Sequence, residues 1–309
     1  MEGTGVESWL RALGDILIGN LRSTMLPLPV DKGVCTRWAE GLGVPRGGDT
    51  IIYTSCLYQL VPAINKLVSL VGAASRVPEL ARRAPLGLMR ALTKPDEAEV
   101  ERMNGVVRRI AGLLRRSGVE FGYLYEEEPY SGALLYELGF EEAFKEYSAV
   151  VARALGRARR VITIDPHTHN LLKNVLPKYQ RLDADVVNYM ELVRGVKPSG
   201  AVEGGVVVHD SCLYSRYLGL RDAPRRLLNE AGVARREDPY VTGVATSMCC
   251  GGPVESINPS LSNSIAAARA RDLSRLSKTI VVACPICLGN LSRNAPSGVR
   301  VVDLAEAIS

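Results

Sequence analysis

The sequence predicts an α/β protein built as two tandem Rossmann-like lobes, with parallel sheets and pseudo-twofold symmetry. Three observations predict it. The short β-branched runs TIIYTSC, VITIDPH, VVVHDSC and TIVVACP each end on a polar or cysteine residue, and continuous apolar runs of this length suit buried parallel strands. Helical patterns lie between them, as an α/β fold requires. The chain also repeats itself, since Ser55-Cys56-Leu57-Tyr58 recurs as Ser211-Cys212-Leu213-Tyr214 after the corresponding run.

Residues 1–48 form an expected helical extension, residues 49–198 a first lobe and residues 199–309 a second. The N-terminus carries Glu2, Glu7, Arg11 and Asp15 and lacks the basic start and clean apolar core of a signal peptide. In the first lobe, the apolar stretch from Leu57 to Thr93 with Arg82, Arg83 and Arg90 is expected to be an inserted helical pair packed on the lobe. Docking to a membrane surface or a partner is its competing reading. A helix from about Pro95 to Arg116 puts Val100, Met103, Val107, Ile110 and Leu114 on one face. The lobes join near GVKPSGAVEGG, residues 195–205, a Gly-rich linker with Pro198. In the second lobe a helix is expected from about Ser262 to Ser277, with Ile265, Ala268, Asp272 and Leu276 at helical spacing.

The repeat extends beyond one tetrapeptide. Tyr130-Ser131-Gly132 stands where the second lobe has Cys249-Cys250-Gly251, and Asp165-Pro166-His167-Thr168 where it has Cys284-Pro285-Ile286-Cys287. Ser131 to Asp165 and Cys250 to Cys284 are both offsets of 34, which points to a duplication.

Five of the seven cysteines form one spaced set, Cys212, Cys249, Cys250, Cys284 and Cys287, with intervals of 36, 33 and 2 residues. Soft thiolates gathered this way suit an iron–sulfur cluster or zinc. Zinc or an ordinary cubane cluster takes four, so the fifth thiol asks for an explanation. Ligands of open α/β sheets sit beyond the carboxyl ends of strands, where Cys56, Asp165, Cys212 and Cys284 all fall. Gly251-Gly252-Pro253 would let backbone amides approach the cluster sulfurs. Cys284 and Cys287 alone would also suit a metal-free redox dithiol. Cys56, Asp165, His167 and His169 present a second candidate metal set, weighed against a decayed site whose polar groups bond one another and cap the next helix. Cys35 has no partner nearby and is expected to be an ordinary structural cysteine. His209 is expected to act as a hydrogen-bond donor beside the site, with proton donation to a thiolate as the alternative.

Composition narrows the classes. The 309 residues carry a net charge of +5, with 30 Arg against 8 Lys in no single run, and only three Phe and two Trp. A nucleic-acid surface would want a clustered basic stripe with aromatics. No apolar run reaches transmembrane length, and no GxGxxG follows a strand, so no organic cofactor is expected. A cytoplasmic setting with reduced thiols favours metal or redox use over disulfides.

On these residues the chain resembles the CCG-domain proteins, which include the B subunit of heterodisulfide reductase and the iron–sulfur subunits of glycolate, lactate and glycerol-3-phosphate dehydrogenases. Their pattern is a Cys, thirty to forty residues, Cys-Cys-Gly, a similar gap, then Cys-x-x-Cys; Cys212, Cys249, Cys250, Gly251, Cys284 and Cys287 match it in full, and YSGALLYELGFEEAF from Tyr130 is similar to the segment after the first CCG. The likeness covers about residues 31–305. It implies a [4Fe–4S] cluster, of the non-cubane type with five cysteine ligands, held by Cys212, Cys249, Cys250, Cys284 and Cys287. It implies electron transfer within an oxidoreductase complex, with reduction of a disulfide or thiol substrate at the cluster in heterodisulfide-type relatives. Two departures stand out. Only one of the family's two motifs is intact, and Cys35 alone stands where many relatives carry a ferredoxin-like cluster. A ferredoxin-like or flavin-containing redox partner is therefore expected, at a cytoplasmic location that includes the inner face of the cell membrane. The alternatives are a zinc-stabilised scaffold or assembly protein and the metal-free dithiol oxidoreductase.

Overall fold

Two three-stranded parallel sheets organise the chain. A computed structural model describes residues 3–73, 94–198, 202 and 204–309. The first sheet holds β1 (Thr50–Tyr53), β2 (Arg160–Thr163) and β3 (Asp185–Asn188) in that order, with Thr50 opposite Arg160 and Arg160 opposite Asp185. The second holds β4 (Val207–Val208), β5 (Thr279–Val282) and β6 (Arg300–Asp303), again in chain order, with Val207 opposite Ile280 and Thr279 opposite Arg300. Each first strand gains a parallel bridge on its free side, Ile51 to Gly122 and Val206 to Arg235. The four apolar runs account for β1, β2, β4 and β5; β3 and β6 were not foreseen. The α/β class holds.

Helices connect the strands. They are α1 (Gly3–Thr24), α2 (Leu57–Ala73), α3 (Glu97–Arg116), α4 (Ala133–Glu137), α5 (Glu141–Leu155), α6 (Pro166–Asn170), α7 (Tyr189–Leu192), α8 (Asp222–Glu230), α9 (Pro259–Ser274), α10 (Pro285–Asn294) and α11 (Leu304–Ile308). Asp96 starts α3 by accepting from the amides of Ala98 and Glu99, the usual service of an acidic N-cap. The five α3 residues expected inside are buried. The expected helix is present as α9, with Ser262, Ala266, Arg269, Ala270 and Leu273 buried and Ile265, Ala268, Asp272 and Leu276 partly buried. Ser262 and Arg269 are polar and find partners inside, so hydropathy alone does not mark the inward face. Residues 74–93, with Arg82, Arg83 and Arg90, lie outside the described residues, as does part of the 195–205 linker. Among the described residues no helix is long and apolar enough to cross a membrane.

Alternation along β1 divides its side chains between two cores. Ile51 and Tyr53 pack with Leu17 and Leu21 of α1 and Phe144 of α5. Ile52 packs into a core that also contains Val107, Ile110, Val207, Val281 and Leu288, so the two sheets share one interior. The exchange across it is reciprocal. Helix α2, which follows β1, packs on α10, and the π-helical turn Leu213–Tyr217, which follows β4, packs on α6. The Tyr58 hydroxyl donates to Asp303 at 2.8 Å, and Asn188 Nδ2 donates to the Tyr214 hydroxyl at 2.8 Å. Asn188 and Asp303 end β3 and β6, and each closes a capping box, with Glu191 and Glu306.

Candidate metal centre

The cysteine set gathers at the carboxyl ends of β4 and β5. Beyond β4 the chain runs through His209 and Asp210 to Cys212. Asp210 is buried and takes both guanidinium nitrogens of Arg225, at 2.6 and 2.9 Å, a charge-assisted fork that fixes this turn. The loop leading to Cys249 is pinned from two sides. Arg216 donates to the carbonyls of Val244, at 2.9 Å, and Ser247, while Arg269 donates to the Val241 carbonyl at 2.8 Å. Gly251 then turns the chain with φ of 88°, and a Cβ there would lie 2.7 Å from the Ser262 carbonyl oxygen. Ser262 Oγ donates to the Gly251 carbonyl at 2.9 Å and Asn290 Nδ2 to the Cys250 carbonyl at 2.7 Å. Cys284 caps α10, Pro285 occupies its first turn, and Cys287 follows.

The Cys250 and Cys287 sulfurs lie 3.3 Å apart, and Cys212, Cys249 and Cys284 are near enough to this pair for the five thiols to shift one another's ionisation. Cys250, Cys284 and Cys287 are buried, while Cys212 and Cys249 are partly exposed. Backbone amides already point at sulfur: Gly251 at Cys249 and Gly252 at Cys250, both at 3.4 Å, and Cys287 at Cys284 at 3.5 Å. Thiol hydrogen bonds from Cys212 and Cys250 pull Cys249 well below the usual thiol range, and the donors Cys212 and Cys250 are pushed up by the same contacts. Burial works against ionisation of Cys284, but bonds from Cys287 and His167 pull it down; Cys287 is raised, chiefly by Cys250. Five thiols this close cannot all ionise unless a cation joins them. Thiolate donors with amide N–H groups aimed at sulfur fit an iron–sulfur cluster.

The second candidate metal set does not assemble. Cys56 is joined to Cys35 in a disulfide, with Cα atoms 5.1 Å apart. This corrects both the unpaired Cys35 and the expectation that the thiols stay free. The pair is 21 residues apart in sequence; Cys56 has a left-handed φ of 56°, and no motif announces the meeting. Asp165 instead caps α6 by accepting from the Thr168 amide at 2.8 Å, and burial pushes its carboxyl up to about 6. His169 meets Thr163 Oγ1 at 2.8 Å, and burial pushes it down to about 4.

His167 goes elsewhere. Its Nδ1 meets Glu137 at 2.7 Å, and Cys284 is near enough to favour its charged form. Burial favours the neutral ring, but Glu137 and Cys284 outweigh it and raise His167 well above the ordinary range. The first lobe thus contributes an imidazole to the cysteines of the second. His209 lies on the other side. Its Nδ1 accepts from Arg269 Nε at 3.2 Å, and a nitrogen of its ring lies within 4.8 Å of the sulfurs of Cys250 and Cys287. Burial, reinforced by the Arg269 charge, pushes it down to about 3. Sequence reasoning missed Arg269, Arg225, Asn290 and Glu137; the buried Arg269 carried a signal only as a charge at helical spacing from the inward positions Ser262 and Ala266.

The five cysteines fall within a stretch that matches a known family. Residues 206–292 match the family model CCG, described as "Cysteine-rich domain". A probable iron-sulfur-binding oxidoreductase, FadF, of Bacillus subtilis is 28% identical over 64% of this chain and 30% of its own. An EtfAB:quinone oxidoreductase of Syntrophomonas wolfei is 28% identical over 67% of this chain and 32% of its own. One subunit of a dihydromethanophenazine:CoB–CoM heterodisulfide reductase, from Methanosarcina mazei, is 27% identical over 59% of this chain and 48% of its own. The chain therefore spans about a third of the length of the first two relatives and about half of the third. Residues 206–292 are a CCG cysteine-rich domain.

Proposed function

We propose that this CCG cysteine-rich domain holds a [4Fe–4S] cluster on Cys212, Cys249, Cys250, Cys284 and Cys287, and that the chain carries electrons within an oxidoreductase complex. The observation behind the reading is the Cys250–Cys287 sulfur contact at 3.3 Å, with backbone amides aimed at the sulfurs of Cys249, Cys250 and Cys284. Four-coordinate zinc leaves one of these thiols without a use, and a lone dithiol leaves three. When bound, the cluster supplies one-electron chemistry whose potential is set by hydrogen bonds and exposure at its sulfurs.

The chain's own residues divide the work. Cys250, Cys284 and Cys287 face the shared core and exclude water there, whereas Cys212 and Cys249 form the accessible rim. His167, oriented by Glu137, bears a proton beside Cys284. Reduction of a disulfide or thiol substrate belongs at the rim, since Cys212 and Cys249 are the two partly exposed thiols of the set. The large apolar side chains exposed among the described residues are Tyr217, Tyr240, Val244, Met248 and Leu261. All lie on the stretch that carries the rim, which favours a redox partner docking there. We read residues 1–48 as an extension and residues 49–198 and 199–309 as two lobes related by duplication, the matching strand order and capping boxes supporting this.

Anaerobically purified protein should contain about four iron and four acid-labile sulfide per chain and give an electron paramagnetic resonance signal. Zinc at about one per chain without sulfide would replace this reading with a structural metal site.

A further inference from the structure

His209 and Arg269 form a buried pair that hydropathy does not account for. Arg269 is 1% exposed on the inward face of α9, and His209 is 2% exposed between β4 and Cys212. Three facts constrain the imidazole. Arg269 Nε–H donates to Nδ1 at 3.2 Å. The Nε2 atom is buried without a hydrogen-bond partner. The sulfurs of Cys250 and Cys287 lie within 4.8 Å of a nitrogen of this ring.

A guanidinium keeps its protons in a protein, so at this contact Arg269 can only donate and Nδ1 can only accept. A neutral imidazole carries one ring proton. With Nδ1 accepting, that proton sits on Nε2. A histidine that binds a metal through Nε2 needs the reverse arrangement, with Nδ1–H donating to a carbonyl or carboxylate. Here a donor stands where that acceptor would be. A buried N–H with no partner is costly, and the nearby acceptors are cysteine sulfurs or the sulfides they hold.

We propose that Arg269 locks His209 in the Nε2–H tautomer, so that His209 donates a hydrogen bond to the sulfur of the bound cluster and is barred from ligating iron. The proposal rests on the iron–sulfur reading above. It makes Arg269 a positioning residue and gives a use to an arginine buried on the inward face of α9. An N–H donated to cluster sulfur stabilises the more negative, reduced state and raises the reduction potential.

The test is made on the full chain, anaerobically purified and reduced. Electron–nuclear double resonance in H2O and D2O, with 15N-histidine labelling, should reveal an exchangeable proton coupled to the cluster and no imidazole nitrogen bonded to iron. In His209→Phe the midpoint potential should fall, that proton signal should vanish, and iron content should stay unchanged. His209→Gln, whose amide restores an N–H donor, should recover part of the shift. Arg269→Met releases Nδ1 and should change the nitrogen coupling, whereas Arg269→Gln, still a donor, should not. A directly bound imidazole nitrogen in the wild-type protein overturns the proposal. So does a potential unmoved by His209→Phe in loaded protein. The wild-type spectrum decides even where a variant fails to load. Absence of iron and sulfide from the wild-type protein would instead remove the cluster reading itself, and this proposal with it.

Discussion

The Tyr58 hydroxyl donates to the Asp303 carboxylate at 2.8 Å, across 245 residues of sequence. It ties the start of α2 to the end of β6, and both partners are buried. Burial pushes the Asp303 carboxyl up to about 7, restrained by its bonds from the Ala305 amide and from Tyr58. Tyr58→Phe should destabilise the protein by about 1–3 kcal/mol, because a buried acceptor loses its donor. Denaturant unfolding checks the loss. A double-mutant cycle with Asp303→Asn should return a coupling well above zero.

The Cys35–Cys56 disulfide belongs to the fold and not to the metal site. Closing a loop of 21 residues should stabilise by about 3 kcal/mol. Cys35→Ser should therefore lower the melting temperature and leave iron content and spectrum unchanged. Cys212→Ser should do the opposite, with loss of iron. Iron analysis beside thermal unfolding separates the two sites.

Gly251 and Gly132 occupy matching turns, with φ of 88° and 86°. A left-handed conformation costs an L side chain about 1–2 kcal/mol. At Gly251 a Cβ would also press on the Ser262 carbonyl at 2.7 Å. Gly251→Ala should displace Cys249 and Cys250 and reduce iron loading. Gly132→Ala, whose Cβ would approach the Tyr147 and Phe144 rings at 3.1 and 3.2 Å, should cost stability alone.

Glu128 gives a pH signature. Burial raises its carboxyl from 4.5 to about 8, against the bonds it accepts from Thr54. The folded state thus keeps a proton that the unfolded state gives up above its own, lower pKa. Stability should fall as pH rises through that window. The depressed His169 and His209 oppose this slope only where the unfolded imidazole still binds a proton, and that opposition fades above their ordinary value of 6.5, while the raised Asp303 adds to the fall. Glu128→Gln should flatten it, by at most about 1.4 kcal/mol per pH unit. Melting curves of both proteins at matched pH values measure the difference.

The sequence made the cysteine set and four strands legible because each is local in pattern: a thiol spacing, or an apolar run ending on a polar residue. β3 and β6 escaped because each offers only a pair of valines, Val186-Val187 and Val301-Val302, between charged or polar residues, too short an apolar run to stand out. The Cys35–Cys56 bond escaped because pairing depends on where two distant backbones meet. The burial of Arg269 and Ser262 on α9, the two residues that serve His209 and the Gly251 turn, carried no signal in hydropathy. Polar groups buried for a purpose defeat hydropathy where function concentrates.

The crossed packing of α2 on α10 and of Leu213–Tyr217 on α6 has a bearing on descent. On the duplication proposed above, the half without the cysteine set would ordinarily be free to drift or be discarded. Here it still supplies the wall behind Cys287 and, through His167, a neighbour for Cys284. Deleting it would strip cover from the surviving motif, so natural selection acting on the cysteine-bearing half also preserves its barren twin.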